Sequence, residues 1–272
     1  MKKQFDIDNF LMKYPFTKEC IEDEEISYKN LKEIYEDYIE CISSYENQAN
    51  FIANILRSNE NVHSVKSRLK DPDRLIEKVI RKTIDRREKY GNNFNFEVSN
   101  YKKEVTDLIG IRVLHIFKDQ WRDIHEFITN TWKVIEITAN VRAGDNTEAF
   151  HELNIEVKER VSGYRSVHYL VELNFTHNES TIAEIQVRTI FEEGYGEIDH
   201  RLRYSHQEIP DILKSNLMLF NRLVGSADEM ASLINNLSKE WTTKEEAYKD
   251  TIKAQQLEIE LLKKSLELHN IK

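Results

Sequence analysis

The apolar positions of this chain keep one period near its ends and another in its middle. Between residues 26 and 57, Leu31, Ile34, Tyr35, Tyr38, Ile39, Ile42, Tyr45, Ala49, Ile52 and Ile55 recur at spacings of three and four. That spacing lines one side of an amphipathic helix, with Ser27 placed to cap it, and assigns the tyrosine stripe to the core. Residues 60–70 read as extended, with Lys66, Arg68 and Lys70 sharing one parity. Asp71-Pro72 opens a second helix, Asp as cap and Pro at the first position. Leu75, Ile76, Val79, Ile80 and Ile84 form its apolar side, Arg74, Lys78, Arg81 and Asp85 another, and Gly91-Asn92-Asn93 its stop.

Downstream the period falls to two. Strands are predicted at 109–117, 134–141, 153–158, 167–175 and 182–188, with a helix carrying Trp121, Ile124, Phe127, Ile128 and Trp132 between the first two. The clearest alternation is AEIQVR, where Ala183, Ile185 and Val187 interleave with Glu184, Gln186 and Arg188. One face of that strand is apolar, and the other shows a carboxylate, an amide and a guanidinium in a row. Arg142–Thr147 reads as a mobile loop. After Pro210 only one glycine and no proline occur, and two helices are predicted, Ile212–Leu237 and Lys244–Leu268. Strands mixed with helices predict an α+β domain around a mixed sheet. The expected organisation is an N-terminal helical segment packing on the core (1–59), the core itself (60–207) and a helical C-terminal extension (208–272).

Charge sharpens this picture. The net charge is −9, which argues against a general nucleic-acid binder. Residues 62–89, however, carry ten Lys/Arg against five Asp/Glu, whereas residues 1–61 carry seven against thirteen. A local basic segment in an acidic chain fits a compact anionic ligand. No apolar run approaches the eighteen residues of a membrane span, and the start MKKQFDIDNFLMKYPF lacks the apolar centre of a secretory signal. Cys20 and Cys41 make no disulfide framework, so a reduced, cytoplasmic setting is expected. No zincin motif, Walker loop or GxGxxG is present.

Five ordered segments carry chemistry: SRLKDPDRLIEKVIRK (67–82), DLIGIRV (107–113), GYRSVH (163–168), AEIQVRT (183–189) and EIDHRLRY (197–204). In this order and spacing they resemble the synthetase domain of the RelA/SpoT homologues, over roughly residues 60–205. Those enzymes move pyrophosphate from ATP to the ribose 3′-hydroxyl of a guanine nucleotide. The resemblance implies a nucleotidyltransferase-like synthetase fold and a Mg²⁺ cofactor. It implies that Asp107 binds the metal and that Glu184 binds metal or acts as base. Arg68, Lys70, Lys78, Arg81 and Arg112 match the ATP-binding cations. Tyr164 matches the tyrosine on which the acceptor guanine stacks, and Arg160, His168, Gln186 and Arg188 fall on the acceptor side. Arg160 stands where many relatives have lysine, and Tyr195 where many have tryptophan. Arg74 replaces a small polar residue and receives no role. His200 either holds a phosphate or braces its helix.

The expected partners are ATP with GDP or GTP. The basic helix face and Arg160 leave open a toxic relative that pyrophosphorylates adenosine nucleotides or the tRNA 3′ end. A catalytically silent nucleotide-binding module is a further alternative, which the paired carboxylates argue against. No histidine precedes an aspartate, so the His-Asp hydrolase signature of long family members is not found. The C-terminal helices offer a route to a homo-oligomer, although their heptad pattern is interrupted at Gln255.

Overall fold

The computed structural model describes residues 5–173, 181–205 and 209–269. Two short helices, α1 (Ile7–Lys13) and α2 (Thr17–Asp23), precede a long one, α3 (Tyr28–Arg57). They lead into β1 (Ser64–Leu69), α4 (Pro72–Tyr90), α5 (Tyr101–Glu104), β2 (Ile109–His115) and α6 (Gln120–Thr131). The chain continues through β3 (Lys133–Val141), α7 (Glu148–Glu152), β4 (Glu156–Glu159), β5 (Ser166–Leu173) and β6 (Thr181–Thr189). It ends in α8 (Ile190–Ser205) and α9 (Asp211–His269). The strands form one mixed sheet in the order β1-β2-β6-β5-β3-β4. β6 is central, parallel to β2 and antiparallel to β5.

The alternation of AEIQVR is realised as two faces. Ala183, Ile185 and Val187 lie in the core with Ile109, Ile111, Val113, Tyr169 and Val171. α3 packs on β1 and β2, and α6 covers β3 and reaches β5. There the Trp121 indole donates to the Tyr169 hydroxyl at 3.0 Å. Helices α1–α4 share this apolar core with the sheet.

Caps stand where the sequence places them. Ser27 accepts from the Asn30 amide, and Asp71 from the Arg74 amide. Gly91 stops α4 at φ 101°, a conformation that glycine adopts without steric cost. The tyrosine stripe of α3 is core: Tyr38 is fully buried. Its hydroxyl, however, donates to the Lys70 carbonyl at 2.6 Å, so α3 also fixes the chain that enters α4.

Three expectations change. The strand expected at 153–158 is β4, which starts at Glu156, after the short α7. The loop expected to be mobile is tied down: Asp145 accepts the Arg142 amide at 2.9 Å and holds Arg165 through two bonds, at 2.6 and 3.0 Å. The two C-terminal helices are one, α9, of 59 residues. The polar stretch between them has no glycine or proline to break it, and the Thr242 and Thr243 hydroxyls donate back to the carbonyls of Ser238 and Lys239, which a helix tolerates. Leu217, Asn221 and Asp228 of α9 are buried, whereas Trp241, Tyr248 and Ile252 are exposed. No helix among the described residues is long and apolar enough to cross a membrane. The end of the expected strand 167–175, from residue 174, lies outside the described residues.

Candidate active site

The polar face of β6 sits in register with its neighbours. Gln186 pairs with Arg112 on one side and His168 on the other, and Arg112 pairs with Lys66. One row lower, Glu184 stands beside Gly110, and Gly110 beside Arg68. A Cβ on Gly110 would lie 3.3 Å from the Arg68 side chain, so glycine lets Arg68 cross the strand closely.

Asp107 precedes β2 and is gripped by two lysines. Lys70 donates from the end of β1 at 2.7 Å, and Lys78 comes from α4 at 2.8 Å. All three side chains are largely buried. Burial alone would raise the Asp107 pKa, but Lys78 and Lys70 outweigh it and bring the carboxyl down to about 2. Lys70 moves down as well, because its burial outweighs the attraction of Asp107. The two directions are compatible, since burial penalises both charges.

A second chain of contacts runs from the loop before β5 to β6. The Tyr164 hydroxyl meets His168 Nε2 at 3.1 Å, and His168 Nδ1 meets Glu184 Oε1 at 3.3 Å. Gln186 donates to Glu184 Oε2 at 2.6 Å. Burial pushes the Glu184 carboxyl up, but the hydrogen bond and charge of His168 win and hold it below its ordinary value. Among the opposing influences is the charge of Asp107, so the two carboxylates act on each other. The Arg188 guanidinium lies 5.4 Å from the centroid of the Tyr164 ring.

Arg188 and Arg112 are bridged by a residue that the sequence reading did not single out. Glu193 of α8 is buried and contacts Arg188 at 2.8 Å and Arg112 at 3.1 Å. Arg112 also donates to Glu197. Burial works against the Arg112 charge, and these two carboxylates offset it. A cavity of about 430 Å³ is lined by Arg68, Lys70, Arg74, His200, Lys13 and Tyr14, with Leu69 and one carboxylate, Asp71; Lys70 is also the partner of Asp107. Burial, followed by Arg74, lowers the His200 pKa; Glu197 pulls the other way.

The family model for the region found in RelA and SpoT proteins matches residues 67–209. The chain belongs to the RelA/SpoT family. The fold is that of solved small synthetases of this family. Small alarmone synthetase 1 from Bacillus subtilis is similar with a TM-score of 0.58 at 19% identity, over 75% of this chain and 98% of that one. A GTP pyrophosphokinase family protein from Streptococcus pneumoniae is similar with a TM-score of 0.55 at 21% identity, over 75% and 95%. No curated protein matches the sequence.

Within this RelA/SpoT domain, Asp107, Lys70 and Lys78 come together, as do Tyr164, His168, Glu184, Gln186 and Arg188. Arg68 and His200 share the smaller cavity. Two predicted site residues lie elsewhere. Arg81 is exposed on α4, paired with Glu77 one helical turn away at 3.2 Å. Arg160 donates to the buried Asn140 at 2.6 Å and faces another, larger cavity. Residues missed in sequence are Glu193, Arg74, Lys13 and Tyr14. Glu193 follows the AEIQVRT strand closely enough to have been a candidate. Lys13 ends α1 and Tyr14 is its C-cap; both lie outside the matched segment, and no local pattern marks them. Among the described residues no group of three or more His, Cys, Asp and Glu side chains is arranged to hold a metal.

Proposed function

We propose that this chain is an ATP:nucleotide 3′-pyrophosphotransferase that makes (p)ppGpp from ATP and GDP or GTP. The observation that carries this reading is that Asp107 is paired with Lys70, which lines the smaller cavity with Arg68 and Arg74, and that Glu184 is linked through His168 to the Tyr164 hydroxyl. Family membership supports it, as do the relatives: small alarmone synthetase 1 from Bacillus subtilis is known bound to its product pppGpp and to AMPCPP.

In this reading the acceptor 3′-oxygen attacks the β-phosphorus of ATP. The bond from that phosphorus to the bridging α–β oxygen breaks, AMP leaves, and the hydroxyl proton passes to a base. Arg68, Lys70 and Arg112 face the polyanionic triphosphate of the donor, and guanidinium forks suit phosphate. Lys78 holds Asp107 ionised and aimed. Tyr164 stacks the acceptor base, while Arg188 beneath the ring adds a cation–π contact. His168 links the Tyr164 hydroxyl to Glu184 and orients it as the base for the hydroxyl proton. Asp107 and Glu184 also fit Mg²⁺, which commonly takes one or two carboxylates and fills its shell with phosphate oxygens and water. When bound, that ion neutralises charge on the transferred group. The deciding experiment is incubation with radiolabelled ATP and separate acceptors: GDP, GTP, AMP, ATP and bulk tRNA. Label on GDP or GTP is expected. Label only on AMP, ATP or tRNA would replace the guanine reading, and no transfer at all would leave a binding module.

A further inference from the structure

A third cavity, of about 520 Å³, has both apolar and polar walls. Trp121 of α6 and Phe150 of α7 meet edge to face on it, with ring centroids 4.8 Å apart. Val167 of β5 and Val187 of β6 continue the apolar part. The loop after β3, pinned by Asp145 to the Arg142 amide, supplies a further side, so contacts within the protein hold the walls in place. The volume suits a small organic molecule.

The polar part includes Thr189 and Glu192, at the junction of β6 and α8. They form a capping box: the Thr189 amide donates to Glu192 Oε2 at 2.9 Å, and the Glu192 amide donates to Thr189 Oγ1 at 3.1 Å. The box uses one carboxylate oxygen, and Glu192 Oε1 has no hydrogen-bond or ion-pair partner among the described residues. Behind Thr189 stands a second acid. The Thr189 hydroxyl donates to Asp228 Oδ2 of α9 at 3.1 Å, while Asp228 is 1% exposed and its Oδ1 finds no partner. Burial raises the pKa of both acids, and the charge of Asp228 helps to push Glu192 up to about 7. Arg165 and Lys118 pull both the other way, but each is already engaged: Arg165 with Asp145 at 2.6 and 3.0 Å, Lys118 with Glu229 at 3.6 Å. Arg142, the third cation on the wall, lies 3.3 Å from Asp145. Burial brings His115 down to about 4, so it is neutral. Every cation on the wall thus faces a carboxylate, whereas Glu192 and Asp228 face no cation within ion-pair distance among the described residues.

We infer that this cavity binds a small organic ammonium ion with an apolar body, its –NH3+ donating to Glu192 and its body lying against Trp121 and Phe150. An ammonium group brings three donors and the positive charge that the two acids lack. The apolar walls favour an organic cation over a metal ion, and among the described residues no group of three or more His, Cys, Asp and Glu side chains is arranged for a metal. The neighbour of Glu192 is Glu193, which bridges Arg188 and Arg112, so the ligand sits one residue along α8 from the candidate active site. The inference goes beyond the proposed reaction and does not depend on it.

The test is calorimetric titration of the full chain with phenethylamine at pH 6, 7 and 8, with 2-phenylethanol as the uncharged control. Saturable one-to-one binding of the amine is expected, with the alcohol much weaker. The proton on Glu192 competes with the ammonium group, so affinity should rise about tenfold from pH 6 to 8 as that carboxyl ionises. Glu192→Gln keeps the capping box and removes the charge. It should weaken the amine about tenfold or more at pH 8 and flatten the pH dependence. Ala149→Leu, which narrows the cavity and leaves Glu192 in place, should abolish binding and decides the matter if Glu192→Gln does not fold. The inference is overturned if the wild type does not bind the amine or binds the alcohol equally well. Unchanged affinity in Glu192→Gln or in Ala149→Leu overturns it as well.

Discussion

Replacing Asp107 by asparagine tests a buried carboxylate held between two lysines. The carboxylate is 11% exposed and meets Lys70 at 2.7 Å and Lys78 at 2.8 Å. Its pKa falls from the usual 3.8 to about 2. The folded carboxyl therefore takes up a proton less readily than the unfolded one. That stabilisation is complete above pH 3.8 and is lost as the pH falls through about 2. The difference amounts to about 2 kcal/mol at neutral pH. Asparagine also leaves two buried ammonium groups facing each other, and breaking a buried pair costs about 3–5 kcal/mol. Asp107→Asn is expected to lose between about 2 and about 5 kcal/mol at pH 7. Lys70, whose pKa is lowered by burial, opposes folding at neutral pH, so the acid limb isolates Asp107 better than the neutral value does. The assay is urea unfolding at several pH values from 7 down to 2. Wild-type stability should drop between pH 4 and 2 more steeply than that of the variant. Adding Lys78→Met to Asp107→Asn should recover part of the loss. A deficit below about 0.5 kcal/mol at pH 7 with an unchanged acid limb would refute the ion-paired geometry.

Glu184→Gln should lower pyrophosphate transfer about 10²-fold or more, because a base or metal ligand is lost, while thermal unfolding confirms that the fold persists; retention of more than about a tenth of the turnover would remove the assignment. Tyr164→Phe loses the hydroxyl contacts to His168 and Ser166 and should keep activity within about tenfold. Tyr164→Ala also loses the stacking face and should raise the acceptor KM by about a further tenfold, so equal damage in both variants would give the hydroxyl the larger role. Gly163→Ala forces a side chain into the left-handed region against Asn221 and should cost about 1–2 kcal/mol, read by chemical denaturation; an unchanged midpoint would show that α9 does not press on the loop.

Much of the fold was legible because burial has a period. The alternation of AEIQVR gave the central strand, and Asp71-Pro72 gave the start of α4 to the residue. The motif residues on the even face of β6 were legible for the same reason, since a strand at two residues per repeat keeps Glu184, Gln186 and Arg188 together. The length of α9 was not: a polar stretch such as residues 238–243 reads as a break, yet nothing in it forbids a helix. Arg165 shows the limit within a motif. It sits between Tyr164 and Ser166, but its side chain is taken by Asp145 and Asn221, whereas Tyr164 meets His168. Neighbours in a turn do not share a side, and no periodicity predicts where each points.

Local order along the chain therefore determined the elements, their order and the chemical groups they carry, because periods, caps and turn residues act over a few positions. Tertiary structure decided which charges meet. Lys70 reaches Asp107 across 37 residues, and Arg112 reaches Glu193 across 81. Coulomb energy depends on distance and burial, and neither is written in sequence separation. Packing likewise decided that Lys13 at the end of α1 and Tyr14 after it line one cavity with Lys70, and that Arg222 of α9 lines another with Arg160. α1 reaches its cavity through Phe10 in the main core, whereas α9 is held by a separate small cluster, Leu217 with Tyr195 and Ile209, because apolar surface buries wherever the chain brings it together.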